Sequence, residues 1–291
     1  MTDHTRRLLY VLAHPDDESF GSAGTIARYV AEGVEVSLIC TTNGDVGTVA
    51  PEFMEGHDSI TDVRLSELSC AAEVLQLKHV ITFGYRDSGM AGSPDNQHPD
   101  SLHSADTDKV AERITKVIRE LKPHVVVTFD PFGGYGHPDH IATHKATVAA
   151  FHAAGDASRY PDQLKDGLQP YQPQKLYFTS FDKRWMKFSL VVARLMFVDT
   201  RHMGRNHDMD AWEIASHQYP IHARIDTGPF QLVAEQARSC HASQLGGIGP
   251  RRFSDSLTRL FLGIQESFMR AYPPVNGGGT EHDLFAGVTP E

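Results

Sequence analysis

Four short apolar runs, each followed by a segment of helical pattern, constrain this chain more than any other feature. They are Leu8–Ala13, Val34–Thr42, Val80–Phe83 and Val125–Phe129. Each is short, apolar and bounded by turn residues, so each reads as a strand. Between them, a segment near Gly24–Glu32 stops at Gly33, and Asp62 stands where it can cap a helix running through Leu75. A helix over Asp108–Leu121 puts Val110, Ile114, Val117, Ile118 and Leu121 on one face before Pro123 ends it, and another spans Asp139–Ala154 up to Gly155. Strands that alternate with helices form a parallel sheet joined by right-handed crossovers. The expectation is an α/β fold, a Rossmann-like, mostly parallel sheet flanked by helices.

Beyond Gly155 the pattern weakens. Gln169–Gln174 carries two prolines and reads as a linker, and Lys175–Phe181 as one more strand. Met186–Met196, Pro229–Ala242 and Phe253–Ala271 read as helices, and Pro273–Gly279 as loosely ordered chain. The division expected is a catalytic core over 1–168 and a less regular C-terminal part over 169–291, which completes the fold and the substrate cleft within one compact domain.

Composition narrows the function. A formal net charge of −10 with no basic block argues against nucleic acid as a partner. No apolar stretch reaches the length of a membrane span, and no signal peptide is visible. Cys40, Cys70 and Cys240 are odd in number and far apart, which reads as buried free thiols in a reducing compartment, the cytoplasm. The first strand-to-helix turn lacks the glycine fingerprint of a dinucleotide site, against a nicotinamide or flavin role.

Two strand ends carry chemistry. Leu8–Ala13 runs into His14-Pro-Asp-Asp-Glu18, and Val125–Phe129 runs, through Asp130–Gly136, into His137-Pro-Asp-His140. In a parallel sheet the loops at the carboxyl ends of strands share one rim, so the two motifs face each other across a cleft. His14, Asp17 and His140 then offer two imidazoles and a carboxylate with a position left for water, the way catalytic zinc is held. Asp16 and His137 remain beside them as base and acid. Each motif has a blander reading, a capping loop for the first and a helix N-terminus with a favourable Asp139 for the second. The Gly133-Gly-Tyr-Gly136 loop favours the functional one, because it lets backbone approach a ligand while aiming Tyr135 inward. Asp45 stands evenly between pocket lining and simple solvation. His144 reads as a supporting or solvent-facing residue. His98, His103, His202, His207, His217, His222 and His241 show no ligand spacing, and of these His241 is the one read as a candidate to reach the cleft.

The pair AHPDDE and GGYGHPDH resembles the PIG-L/LmbE-like superfamily of zinc-dependent N-deacetylases, in particular those acting on N-acetylglucosamine conjugates in mycothiol- or bacillithiol-type pathways. The similarity covers roughly residues 8–155, with Arg86–Gly92 and Val63–Leu68 as further matching stretches. It implies His14, Asp17 and His140 as metal ligands, Asp16 as general base, and a protonated His137 oriented by Asp139. It also implies Tyr135 as a mobile group near the oxyanion, and Arg64 and Asp87 as sugar contacts. The implied cofactor is one Zn2+ per chain, with Fe2+ as another divalent candidate. The implied partner is a small N-acetylated amino-sugar conjugate, and oligomeric state is not legible. Two rivals share the residues: a non-haem iron oxygenase using the same triad, and a non-catalytic sugar-binding protein. Neither has a use for Asp16.

Overall fold

The apolar runs lie side by side in one seven-stranded sheet. The computed structural model describes residues 5–201, 210–245, 265–275, 277 and 279–289. Its strands are β1 (Arg7–Leu12), β2 (Glu35–Thr42), β3 (His79–Tyr85), β4 (Val125–Thr128), β5 (Lys175–Ser180), β6 (Ala223–Asp226) and β7 (Gln265–Tyr272), in the order β3-β2-β1-β4-β5-β7-β6. The first five pair in parallel, and β7 runs antiparallel to both β5 and β6. The helices are α1 (Asp17–Gly21), α2 (Ala23–Ala31), α3 (Ile60–Leu75), α4 (Thr107–Leu121), a four-residue turn α5 (Gly133–Gly136), α6 (Pro138–Ala154), α7 (Pro161–Lys165), α8 (Arg184–Leu195), α9 (Ala211–Ser216) and α10 (Gln231–Cys240).

Strand side chains alternate between faces, and here both faces are covered. Leu8, Tyr10 and Leu12 of β1 pack with Leu38, Val127 and residues of α2, α3 and α10, while Leu9 and Val11 pack with Val126, Phe178 and residues of α4 and α6. A strand buried on both sides must be apolar at every position, which is why β1 and β4 read as unbroken runs. From β1 the chain moves outward through β2 to β3, then returns to place β4 on the other side of β1. The crevice at such a reversal is where ligands bind in open α/β sheets. The loops after β1 and β4 are those that carry the two histidine motifs.

Several local expectations are corrected. Ser59, not Asp62, caps α3: its Oγ accepts the Asp62 N–H at 3.1 Å. The described part of the segment read as a helix over Phe253–Ala271 is strand β7, and residues 253–264 lie outside the described residues. Pairing with β5 and β6 on both edges and burial of Phe268 override the local pattern. Cys70 and Cys240 are not free thiols. They form a disulfide, because α3 and α10 pack together and bring their Cα atoms to 5.7 Å across 170 residues of sequence. Cys40 alone is free and buried, so the argument for a reducing compartment loses its premise. Among the described residues no helix is long and apolar enough to cross a membrane.

One buried cation anchors the helical layer on the α4–α6 face. Arg119 of α4 is wholly buried and donates to the carbonyls of Ala153, Ala154, Asp156, Arg159 and Tyr160 and to Gln163 Oε1, at 2.9–3.3 Å. It thereby satisfies the carbonyls left open at the C-terminus of α6 and in the turn beyond it. Arg119→Leu would leave these acceptors buried without a donor and should lower stability by about 3 kcal/mol in urea unfolding. A loss under about 1 kcal/mol would contradict this account.

Candidate active site

The loops after β1 and β4 bring their histidines into ring contact. His14 and His137 have centroids 4.5 Å apart, His14 and His140 5.0 Å, and His137 and His140 5.2 Å. His14 Nδ1 lies 3.1 Å from His140 Nε2. The Asp17 carboxylate closes the triangle, with Oδ2 at 3.5 Å from His14 Nδ1 and Oδ1 at 3.3 Å from His140 Nε2. Ligand atoms bound tetrahedrally at about 2.0–2.1 Å stand about 3.3 Å apart. These three donors therefore fit a transition-metal ion. His14, His137 and His140 also form a group of donors close enough to share an ion, as do His14, Asp87, His137 and Asp139. The Asp17 set is preferred because its oxygens approach the two imidazole nitrogens that already face each other.

Supporting hydrogen bonds orient the proposed ligands. His140 Nδ1 donates to the Gly133 carbonyl at 3.1 Å and leaves Nε2 free to coordinate. Gly133 has φ +69°, and a Cβ there would meet His140 Cβ at 2.7 Å, so the close approach requires glycine. His14 Nε2 donates to Asp139 Oδ2 at 3.2 Å, so Nδ1 is the nitrogen that faces His140 and Asp17. Asp139 is itself wholly buried, accepting the Ser88 N–H at 2.9 Å and the Ser88 hydroxyl. Its carboxylate is thus directed to His14, while His137 Nδ1, 3.9 Å from that carboxylate, takes the Asp139 backbone N–H. Asp17 Oδ2 accepts the His14 N–H at 2.7 Å. Burial alone would lower His14 and raise Asp17. Facing charges reverse both: Asp87, Asp139 and Asp17 pull His14 well up, and His140 and His14 hold Asp17 well below the carboxylate range.

The surroundings of His137 work against the protonated form that the resemblance implies. Burial, then His14 and His140, push it well below the ordinary histidine value. Its Nδ1 accepts the Asp139 N–H at 3.2 Å, so the ring hydrogen sits on Nε2, 4.0 Å from Asp87 Oδ1. Tyr135 stands over His140 at 5.0 Å between centroids, and burial raises its phenol far enough to keep it a donor. The glycine loop that carries Tyr135 is held by Lys183, whose Nζ donates to the carbonyls of His217 at 2.8 Å and Gly134 at 3.4 Å, and by Phe132 stacked on His217 at 3.8 Å. No local signal in the sequence singles out Lys183.

The other expected contacts divide. Burial opposes, but His14 holds Asp87 well below the carboxylate range, and it lines a cavity of about 350 Å3 with His137 and Met90. Asp45 binds Arg86 at 3.0 Å and the Asp87 N–H at 2.8 Å, so its carboxylate braces the loop. Arg64 is buried rather than presented to the cleft, donating to the Pro15 carbonyl at 2.6 Å and to Asp16 Oδ2 at 3.0 Å. His144 donates from Nδ1 to the Phe129 carbonyl at 2.9 Å. His98, His103, His217 and His222 take no part in these donor groups, and His202 and His207 lie outside the described residues.

Asp16 sits in a strained backbone, φ 153° and ψ −22°, a conformation that costs about 1–3 kcal/mol for a residue with a side chain. Burial pushes its carboxyl up to about 6, against the pull of Arg64. Its N–H donates to Glu18 Oε2 at 3.2 Å, and Glu18 in turn holds His241 Nε2 at 2.7 Å, both wholly buried. His241 had no ligand spacing to mark it, yet it reaches the back of the first motif from the end of α10. Burial would lower its pKa, but Glu18 and then Asp16 raise it above the free value. A folded-state pKa above the unfolded one gives stability that is full below the unfolded value and fades as pH rises through the folded value. His241→Ala should therefore cost about 3 kcal/mol near pH 6, and less near pH 9. Urea titrations of both proteins at the two pH values check this, and an equal or larger cost at pH 9 would refute the charged pair.

Comparison with known proteins agrees with this geometry. A profile of the family described as PIG-L: GlcNAc-PI de-N-acetylase matches residues 9–151. The chain is 34% identical to a "1D-myo-inositol 2-acetamido-2-deoxy-alpha-D-glucopyranoside deacetylase" of Streptomyces avermitilis, with 98% of each covered. It is 33% identical to the protein of that name from Rhodococcus erythropolis, with 99% of each covered. Its fold matches that of N,N'-diacetylchitobiose deacetylase from Pyrococcus horikoshii with a TM-score of 0.63, at 20% identity over 91% of this chain and 83% of that one. The histidine motifs on adjacent strand ends and the full-length kinship lead to one conclusion: this chain belongs to the PIG-L family of de-N-acetylases.

Proposed function

We propose that this chain hydrolyses the acetamide of an N-acetylglucosamine conjugate, of the glucosaminyl-inositol kind that its relatives' names describe, with zinc held by His14, Asp17 and His140. The observation that carries the reading is the triangle of 3.1–3.5 Å among those three donors, with Asp16 beside it and tied to Arg64 rather than to the triad. Bound there, zinc would supply a Lewis acid and lower the pKa of a water molecule towards about 7.

The chain's own residues account for the rest. Asp16 takes a proton from the attacking water and returns it to the departing amine, a role suited to a carboxylate whose second partner is the Arg64 guanidinium. His137 contributes a neutral Nε2–H hydrogen bond to the substrate, and the Tyr135 phenol a second one towards the developing oxyanion. Asp139 keeps His14 in the tautomer that leaves Nδ1 unprotonated. The sugar is placed in the cavity that Asp87 and His137 line, and Asp87 accepts from its hydroxyls. Arg64 serves the base instead of the sugar.

Asp16→Asn keeps the shape of the side chain and the three donors. Zinc content should stay near that of the parent while kcat falls about a hundredfold or more, on the scale of general acid–base catalysis. Metal analysis alongside acetate release tests this. Loss of zinc with unchanged turnover per metal would make Asp16 a ligand instead of the base.

His14→Ala and His140→Ala should each lose the metal, and chelation should abolish acetate release until zinc is restored. Full turnover by rigorously metal-free protein would end the proposal. Activity that depended on Fe2+ and dioxygen would favour the oxygenase reading.

A further inference from the structure

Asp16 is held at both of its ends by groups that trace back to one helix. At the carboxylate end, Arg64 of α3 donates to Oδ2 at 3.0 Å and to the Pro15 carbonyl at 2.6 Å. At the backbone end, the Asp16 N–H donates to Glu18 Oε2 at 3.2 Å. Glu18 is wholly buried, and its Oε1 accepts from the Ser19 hydroxyl and from His241 Nε2, both at 2.7 Å. His241 is bracketed by two fastenings to α3. Cys240 is bonded to Cys70, and Ser243 donates its N–H and hydroxyl to Glu67 at 2.7 and 2.8 Å. Arg64 and Glu67 stand three residues apart on α3, where side chains are neighbours on one face.

Two observations indicate what the second path does. The His241 ring is wholly buried, and its Nδ1 has no hydrogen-bond partner among the described residues. Its hydrogen bonding is therefore directed to Glu18. The other observation is the cap of α1. Asp16 occupies the N-cap position, and its carbonyl accepts the N–H groups of Ser19 and Phe20 at 2.9 Å, yet its carboxylate makes no cap hydrogen bond. An aspartate there ordinarily adopts an extended φ and turns its carboxylate onto the N–H of the second or third helical residue. The φ of 153° keeps Asp16 out of that conformation. The ordinary cap would draw the carboxylate onto the helix N-terminus and away from the triad. A glutamate reaching back to the N-cap N–H fixes how the chain enters a helix, as in a capping box. Here that glutamate is buried, so its other oxygen needs donors, and His241 is one of them.

We propose that Glu18 and His241 are positioning residues for the hydrolysis. His241 fixes Glu18, Glu18 holds the Asp16 N–H, and the pair keeps the Asp16 carboxylate on the attacking water instead of on the helix cap. The inference rests on the reading of Asp16 as general base. Because the pair acts through Asp16, its loss lowers turnover and leaves zinc and substrate binding in place.

The test compares His241→Leu, His241→Asn and His241→Gln, each alone and combined with Asp16→Asn, by kcat, KM and zinc content in acetate release. Glutamine places an amide N–H where Nε2 stands. Asparagine carries the same amide one methylene short of Glu18, and leucine fills the space without a donor. Alone, leucine and asparagine should lower kcat at least about tenfold, the scale of a misplaced catalytic group, with KM and zinc content within about twofold of the parent. Glutamine should restore kcat to within about threefold of the parent. In the Asp16→Asn background each substitution should add less than about twofold to the loss, because residues that act through one group are not additive. Equal losses in both backgrounds would overturn the positioning role, as would a glutamine variant no better than asparagine or full turnover by all three. If urea unfolding shows that the leucine variant does not fold, the comparison of glutamine with asparagine decides alone. Parental turnover in Asp16→Asn itself would overturn the base reading, and this inference with it.

Discussion

The buried carboxylate of Asp139 joins three separate parts of the chain, and the site's geometry depends on it. It sits in the first turn of α6, accepts from His14 in the loop after β1, and takes both the N–H and the hydroxyl of Ser88 from the loop after β3. A wholly buried carboxylate without donors would cost several kcal/mol, so the three segments hold one another in register. The consequence is chemical as well as structural. The hydrogen bond to His14 decides which imidazole nitrogen faces the proposed metal, and the N–H of the same residue decides which nitrogen of His137 carries the hydrogen.

A second chain of contacts stands behind Asp16. Its φ of 153° turns its carboxylate away from the course its neighbours follow, and such strain persists only when surrounding contacts over-determine it. Arg64 from α3, Glu18 from α1 and His241 from the end of α10 supply those contacts. The disulfide between Cys70 and Cys240 and the bonds from Ser243 to Glu67 fasten α10 to α3 at the same place. The C-terminal third of the chain therefore reaches the back of the first motif through His241. Through β7 and the residues after β5 it also forms much of the wall of a cavity of about 610 Å3 beside Asp17, His140 and Tyr135.

Much of this was legible in the sequence because it is written in local pattern. Strands buried on both faces must be apolar throughout, so β1, β2 and β4 announced themselves, and the αL cap at Lys122 with Pro123 ended α4 as read. The two motifs directly follow two such runs. A parallel sheet puts their loops on one rim, which is why His14, Asp17 and His140 could be grouped before any coordinates. Strand β7 was misread because its burial pattern does not alternate cleanly, and its state is decided by the strands on either side.

What the sequence determined by itself is thus the parallel part of the sheet, β1 to β5, and the kinds of side chain gathered at the ends of β1 and β4. Only the tertiary structure decided who bonds to whom: Arg64 to Asp16, the Asp139 carboxylate to His14 and its N–H to His137, Cys70 to Cys240, and Glu18 to His241 across 223 residues of sequence. The physical reason is range. Periodicity and capping act within a few residues and leave a trace in the order of residue types. A charge in a dry interior, by contrast, takes whichever opposite charge or donor the packing of distant helices brings within about 3 Å, and nothing local in the sequence names that partner.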